Sequence, residues 1–219
     1  MITYDDIRSN EKIRTYIIRA DESLTALGYT EHSFSHVVKA AETAKYILET
    51  LGYPDREVEL AQIAAYLHDI GNVVNRSDHA QSGAIMAFLI LEEMGMPASE
   101  TSTVITAIGN HDEGTAVAVN PVAAALILSD KTDVRRSRVR NQDPASFDIH
   151  DRVNYSVVES SVEINNDHTV IKLQLTIDTT MCSIMDYFEI FLARMVLCRK
   201  DAARLGMEFR LVINGHQLL

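Results

Sequence analysis

The chain has 219 residues, of which 47% are hydrophobic and 23% charged, the mix of a soluble globular protein long enough to bury a core without staples. That excludes a disordered chain, a collagen and a disulfide miniprotein. With 31 acidic residues against 20 basic, its net charge of -11 repels a phosphate backbone and argues against broad nucleic-acid binding.

Met1 to Arg14 carries Asp5, Asp6 and Glu11 and no continuous apolar stretch, so it reads as neither a signal nor an anchor. No run approaches the roughly 18 apolar residues that a membrane helix requires. The expectation is a cytoplasmic protein with no membrane partner.

Residues 1 to about 145 read as helix after helix. Asn10 can cap a helix from Glu11 to Leu27, with Ile13, Ile17, Ala20, Leu24 and Leu27 in one stripe and Gly28 as its stop. A second runs from about His32 to Leu51 and stops at Gly52-Tyr53-Pro54. Asp55 opens a third, through Val58, Ile63 and Leu67, that ends near Gly71. The fourth spans about His79 to Met94, closed by Gly95 and Pro97. Ser99 caps a fifth that stops at Gly109, and a sixth runs from Pro121 past Asp130.

The pattern changes after Asp143-Pro144. Val153, Tyr155 and Val157 alternate, and the phase then shifts before Val162 and Ile164, which predicts a strand with a bulge near Val158. Asn165-Asn166-Asp167-His168 makes a hairpin turn into a strand at Ile171, Leu173, Leu175 and Ile177. A long helix follows, with Met181, Ile184, Met185, Phe188, Leu192, Met195 and Val196 on one side. Phe209, Leu211 and Ile213 form a last strand. Cys182 and Cys198, sixteen residues apart on that helix, would lie roughly 24 Å from each other and form no disulfide. Both read as core residues of a reducing compartment. The expected fold is mainly α: a helical domain over 1–145 and an α+β (β-β-α-β) subdomain over 146–219.

Four of the eight histidines sit where chemistry could use them. His36 lies early in the second helix, His68-Asp69 ends the third, His79 starts the fourth and His111 follows the fifth. Asp130 continues the apolar run Ala123 to Leu128 with only Ser129 between. A carboxylate there is costly unless paired or bound to metal. Imidazole and carboxylate without thiolate suit Fe, Mn, Zn, Co or Ni. Four histidines and two aspartates suffice for two ions if Asp69 bridges. The plain alternative is a bundle whose polar end merely gathers these residues.

The ordered set resembles the HD superfamily of metal-dependent phosphohydrolases. The matching contexts are "HVVKAAETA" from His36, "AAYLHDIGN" around His68-Asp69 and "ILSDKTDVRR" around Asp130, over about residues 30 to 140. His79 in "DHAQSGA" and His111 in "GNHDEG" resemble the variants that hold two ions. The resemblance implies an HD-domain helical bundle with His36, His68, Asp69 and Asp130 on a first metal. It implies His79 and His111 on a second, with Asp69 bridging and Fe or Mn the foremost choices. A water whose pKa falls from about 15.7 toward about 7 on the metal would then attack phosphorus. If one ion binds, His79 and His111 serve as proton donors to the leaving group.

The substrate implied is a small phosphate mono- or diester, nucleotide-like. His32, four residues before His36, is a candidate substrate contact, against the alternative of a surface residue. Lys131, Arg135, Arg136, Arg138 and Arg140 hold a quarter of the basic residues. Lys131 and Arg135 are read as anion-binding, against the alternative that they offset a helix dipole. Asn72, Asn110, Asp112 and Glu113 flank the set and read as caps or turns. The same ligand set also admits a di-iron oxygenase, and the extra subdomain admits a nucleotide-sensing module. An exposed edge strand leaves a homo-oligomer open.

Overall fold

In the computed structural model, which describes residues 1–219, Asn10 joins the first two helices. Its backbone closes α1 (Tyr4–Ser9), and its side chain accepts hydrogen bonds from the amides of Lys12 and Ile13 at the start of α2 (Glu11–Ala26). The sequence reading passed over α1. Its signal is a capping box in which Thr3 and Asp6 satisfy each other's amides. Ile13, Ile17, Ala20 and Leu24 are buried as expected, whereas Leu27, at the C-cap, is exposed.

α3 (Phe34–Thr50) begins after Ser33, so His32 precedes the helix instead of sharing its face with His36. α4 (Asp55–Leu67) is buried from Leu60 through Leu67. A helix covered on all sides belongs at the centre of a bundle, and α4 packs against α1, α3 and α6. His68 and Asp69 leave α4 into a 3-10 turn, Ile70–Val73, which lies on α2 and α5. α5 (His79–Met94) runs beside α6 (Ala98–Gly109). Pro97 takes the N-cap of α6, so Ser99 lies inside the first turn and caps nothing. α7 (Pro121–Lys131) has every residue from Val122 to Leu128 fully buried.

The chain divides into two compact units, Met1–Asp130 and Lys131–Leu219. The change of sequence pattern near Asp143-Pro144 therefore falls inside the second unit. A 3-10 turn before it, Arg136–Arg138, packs on α8 (Ile149–Ser156), and a second 3-10 turn, Pro144–Ser146, begins at Pro144.

α8 corrects the strand expected through Val153 and Tyr155. Asp148 caps it by accepting from the Asp151 amide, and Val153, Ser156 and Val157 are buried at helical spacing. The sheet starts at β1 (Val157–Ile164), which pairs antiparallel with β2 (Val170–Ile177). The register shifts between Val157 and Glu159, which places the expected bulge at Val158. His168, in the left-handed region, completes the hairpin turn, and the Asn165 side chain accepts from the amides of Thr169 and Val170.

α9 (Ile184–Arg204) crosses from β2 to a parallel β3 (Glu208–Ile213). A short β4 (His216–Gln217), unforeseen, closes the order β1-β2-β3-β4. The buried face of α9 also differs from expectation. Tyr187, Phe191, Met195, Cys198 and Ala202 face inward, while Met185 is 74% and Leu192 50% exposed. Cys182 lies just before the Ser183 cap and so is not on the helix; both thiols are buried. No helix is long and apolar enough to cross a membrane.

Candidate metal centre

All six residues expected as ligands lie within Met1–Asp130 and are buried, from His36 at 0% exposure to Asp130 at 8%. They come together because the elements carrying them end at one place. His36 is in the first turn of α3, His68 and Asp69 follow α4, His79 opens α5, His111 follows α6 and Asp130 lies near the end of α7.

Two glycines permit this convergence. A Cβ on Gly71 would stand 2.0 Å from the carbonyl oxygen of His79 and 2.4 Å from the amide nitrogen of Gly83. A Cβ on Gly83 would meet the His68 carbonyl at 3.1 Å. Bare backbone lets the turn after Asp69 lie directly on the first turns of α5. Asp78, at φ 57, turns the chain sharply so that His79 begins the helix.

The imidazoles are fixed from behind. Nδ1 of His68 donates to the Ala65 carbonyl at 2.7 Å, that of His79 to Arg76 at 3.1 Å and that of His111 to Ile108 at 2.6 Å. A carbonyl only accepts, so each of these rings carries a proton on Nδ1 and in its neutral form turns a bare Nε2 lone pair inward. Nε2 of His79 and Nε2 of His111 stand 3.2 Å apart, and those of His36 and His68 stand 3.3 Å apart. Between the neutral His79 and His111 rings, facing lone pairs at that distance repel unless a cation lies between them.

A transition metal fits. With metal–nitrogen bonds of about 2.1 Å, neighbouring ligand atoms lie about 3.0 Å apart in an octahedron and about 3.4 Å in a tetrahedron. His36, His68 and Asp130 form one group that can hold an ion, and His68, Asp69 and His111 form another. The oxygens of Asp69 face opposite ways. Its Oδ2 lies 3.2 Å from Nε2 of His68 and 3.6 Å from Nε2 of His36. Its Oδ1 lies 3.5 Å from Nε2 of His79. Asp130 Oδ1 is 3.3 Å from Nε2 of His36.

The electrostatics keep Asp69 ionised. Burial alone would raise its pKa, but the charge and hydrogen bond of His68, with His32 and His79 beyond, outweigh burial and hold the carboxyl well below the usual range. Burial likewise opposes protonation of His68, and there Asp69 and Asp130 win and raise it. At His79 burial prevails, helped by the Arg76 charge, and the pKa falls.

Around this cup, His32 stacks edge-on against His36 with ring centroids 5.5 Å apart, and its Nδ1 donates to the Thr30 carbonyl. Asn72, expected as a turn residue, is 2% exposed and donates to Asp69 Oδ1 at 2.8 Å. Asp112 reaches within 3.9 Å of His79 Nε2. The basic cluster belongs to the second unit, Lys131–Leu219. Lys131 is 4% exposed, and Arg135 donates to the buried Asp133 carboxylate at 2.8 Å. Arg138 bonds the Asp133 carbonyl.

Sequence reasoning missed Arg76. Its Nη1 lies 3.4 Å from Nε2 of His79 and 3.9 Å from Asp69 Oδ1. The available signal was a lone arginine between two ligand-bearing elements of an acidic chain.

Residues 33–153 match the HD domain family. Uncharacterized protein MJ1020 of Methanocaldococcus jannaschii is 27% identical over 159 residues, 63% of this chain, and the chain spans 61% of that protein's length. The crystal structure of a predicted HD superfamily hydrolase from an uncultured Thermotogales bacterium is 28% identical. It superposes with a TM-score of 0.45 over 57% of this chain and 67% of that one.

Proposed function

This chain belongs to the HD domain family, and we propose that it is a metal-dependent phosphohydrolase acting on a small phosphate mono- or diester. The observation that carries this reading is the placement of the two Asp69 oxygens, one toward His36 and His68, the other toward His79. A carboxylate so placed suits a bridge between two ions. His36, His68, Asp69 and Asp130 would hold the first, and Asp69, His79 and His111 the second.

When bound, the ions would supply Lewis-acid charge for phosphate oxygens and an acidified water as nucleophile. The chain's own residues do the rest. Asn72 holds the Asp69 carboxylate in orientation through Oδ1. The Nδ1 anchors hold three imidazoles in the tautomer that presents a lone pair. The lowered pKa of His79 keeps that ring neutral at neutral pH, as a ligand must be. His32, beside His36 and half-buried, stands where it can touch substrate.

The test is elemental analysis of protein purified without chelator, with turnover of p-nitrophenyl phosphate and bis(p-nitrophenyl) phosphate. About two ions per chain are expected, with Asp69→Asn losing metal and turnover together. A ratio near one would move His79 and His111 to proton delivery. Metal-free protein that added ions cannot load, or turnover that requires oxygen, would overturn the hydrolase reading.

A further inference from the structure

Arg76 poses an electrostatic problem that the metal site alone does not solve. Its Nη1 donates to Asn72 Oδ1 at 3.2 Å and points at the Nε2 lone pair of His79 from 3.4 Å. Its other guanidinium N–H groups have no acceptor in the chain, and the side chain is 27% exposed. If His79 gives that lone pair to a metal, Arg76 loses a partner and stands as a fixed cation beside another cation. Asp69 Oδ1, 3.9 Å from Nη1, is the carboxylate beside the pair, and once it is committed to the metals the remaining positive charge favours a further anion.

The guanidinium is also braced in place. Its carbon lies 5.7 Å from the centre of the Tyr29 ring, within cation–π range. The Tyr29 backbone is itself tied to the end of α2, its amide donating a hydrogen bond to the Leu24 carbonyl at 3.0 Å. Asn72 links the same guanidinium to Asp69, since it accepts from Arg76 and donates to Asp69 Oδ1. A planar fork held on two sides, with unused donors open to solvent beside the metal ligands, has the form of a receptor for a tetrahedral oxyanion. By contrast, Arg135 and Arg138 already serve Asp133.

We propose that Arg76, braced by Tyr29, is the substrate-binding residue that receives the phosphate oxygens at the mouth of the cup. The inference rests on the metal reading above and names the protein group that reads the substrate's charge. It assigns that task to a side chain between His68-Asp69 and His79.

The experiment is calorimetric titration of inorganic phosphate into manganese-loaded protein, with metal content measured on the same samples, for wild type, Arg76→Ala, Arg76→Lys and Tyr29→Ala. Arg76→Ala should keep its metal and bind phosphate at least about tenfold more weakly, because hydrogen bonds to charged groups are worth that much or more. Arg76→Lys, which keeps charge but loses the fork, should recover part of the loss, and Tyr29→Ala should show a smaller one. Wild-type phosphate affinity in metal-loaded Arg76→Ala would overturn this inference alone. So would loss of metal in Arg76→Lys, which would make the arginine a prop for His79. Wild-type protein that takes up no metal would overturn the metal reading as well.

Discussion

Asp201 and Asp69 are both buried acids, and their surroundings push them opposite ways. Asp69 is surrounded by imidazoles and stays ionised. Asp201, on α9, is 3% exposed, and its Oδ2 has no hydrogen-bond partner. Burial pushes its pKa up to about 7 against the weaker pull of Lys200 and Lys131. Between the ordinary carboxyl value and about 7, the folded chain holds a proton that the unfolded chain has released. Stability therefore falls as pH rises through that window, and the penalty is complete above it. Asp201→Asn, which cannot ionise, should stabilise the protein by about 1–3 kcal/mol at pH 8 and by roughly half as much or less at pH 5. Urea unfolding at the two pH values measures this. An equal shift at both would mean that ionisation is not the cause.

The contact between the turn after Asp69 and the start of α5 is where local packing and the metal cup meet. Gly71→Ala would drive a methyl group into the His79 carbonyl and the Gly83 amide, which are backbone and cannot rotate away. The two elements must then separate, at a cost of about 1–3 kcal/mol or more. Because His79 opens α5, the variant should also bind metal far more weakly than wild type, as elemental analysis would show. A stable variant with full metal content would refute the close approach.

These elements also show how far a sequence carries. The ends of α5 and the bulge at Val158 come from signals a few residues long: a glycine stop and a phase shift. α8 was lost because Val153 and Val157 satisfy a helical period as well as an alternating one over so short a run. β4 was missed although Asn214-Gly215, both at positive φ, is a strong hairpin signal. On α9 two apolar stripes compete, one through Tyr187 and Phe191, the other through Met185 and Leu192. The sheet it packs on selects the first. In the cup, the candidate ligands carry their own chemistry and stand out in order along the chain. Arg76 acquires meaning only from its distances to Asp69 and His79, which no spacing reports.

Metal bound to the folded state alone stabilises by mass action, about 2.7 kcal/mol at a hundred times the dissociation constant. For a chain of this size that is roughly 5–10 °C in the unfolding midpoint. A chelator should remove it, and scanning calorimetry with and without added manganese measures the difference. An unchanged midpoint would mean that the ligands do not share an ion in the native state.

The donors come from residues 36 to 130, on five separate elements that converge only at their ends. No two neighbouring elements assemble the cup, so its contacts are expected to form after the helices have docked, past the folding transition state. Interactions absent from that state act on unfolding and leave refolding untouched. Metal should therefore slow unfolding about a hundredfold and hardly alter the refolding rate, which stopped-flow traces in the two directions would resolve. The convergence of helix ends then has a consequence in time: a loaded molecule outlasts a spell of metal scarcity, and an empty one folds no slower for the lack of it.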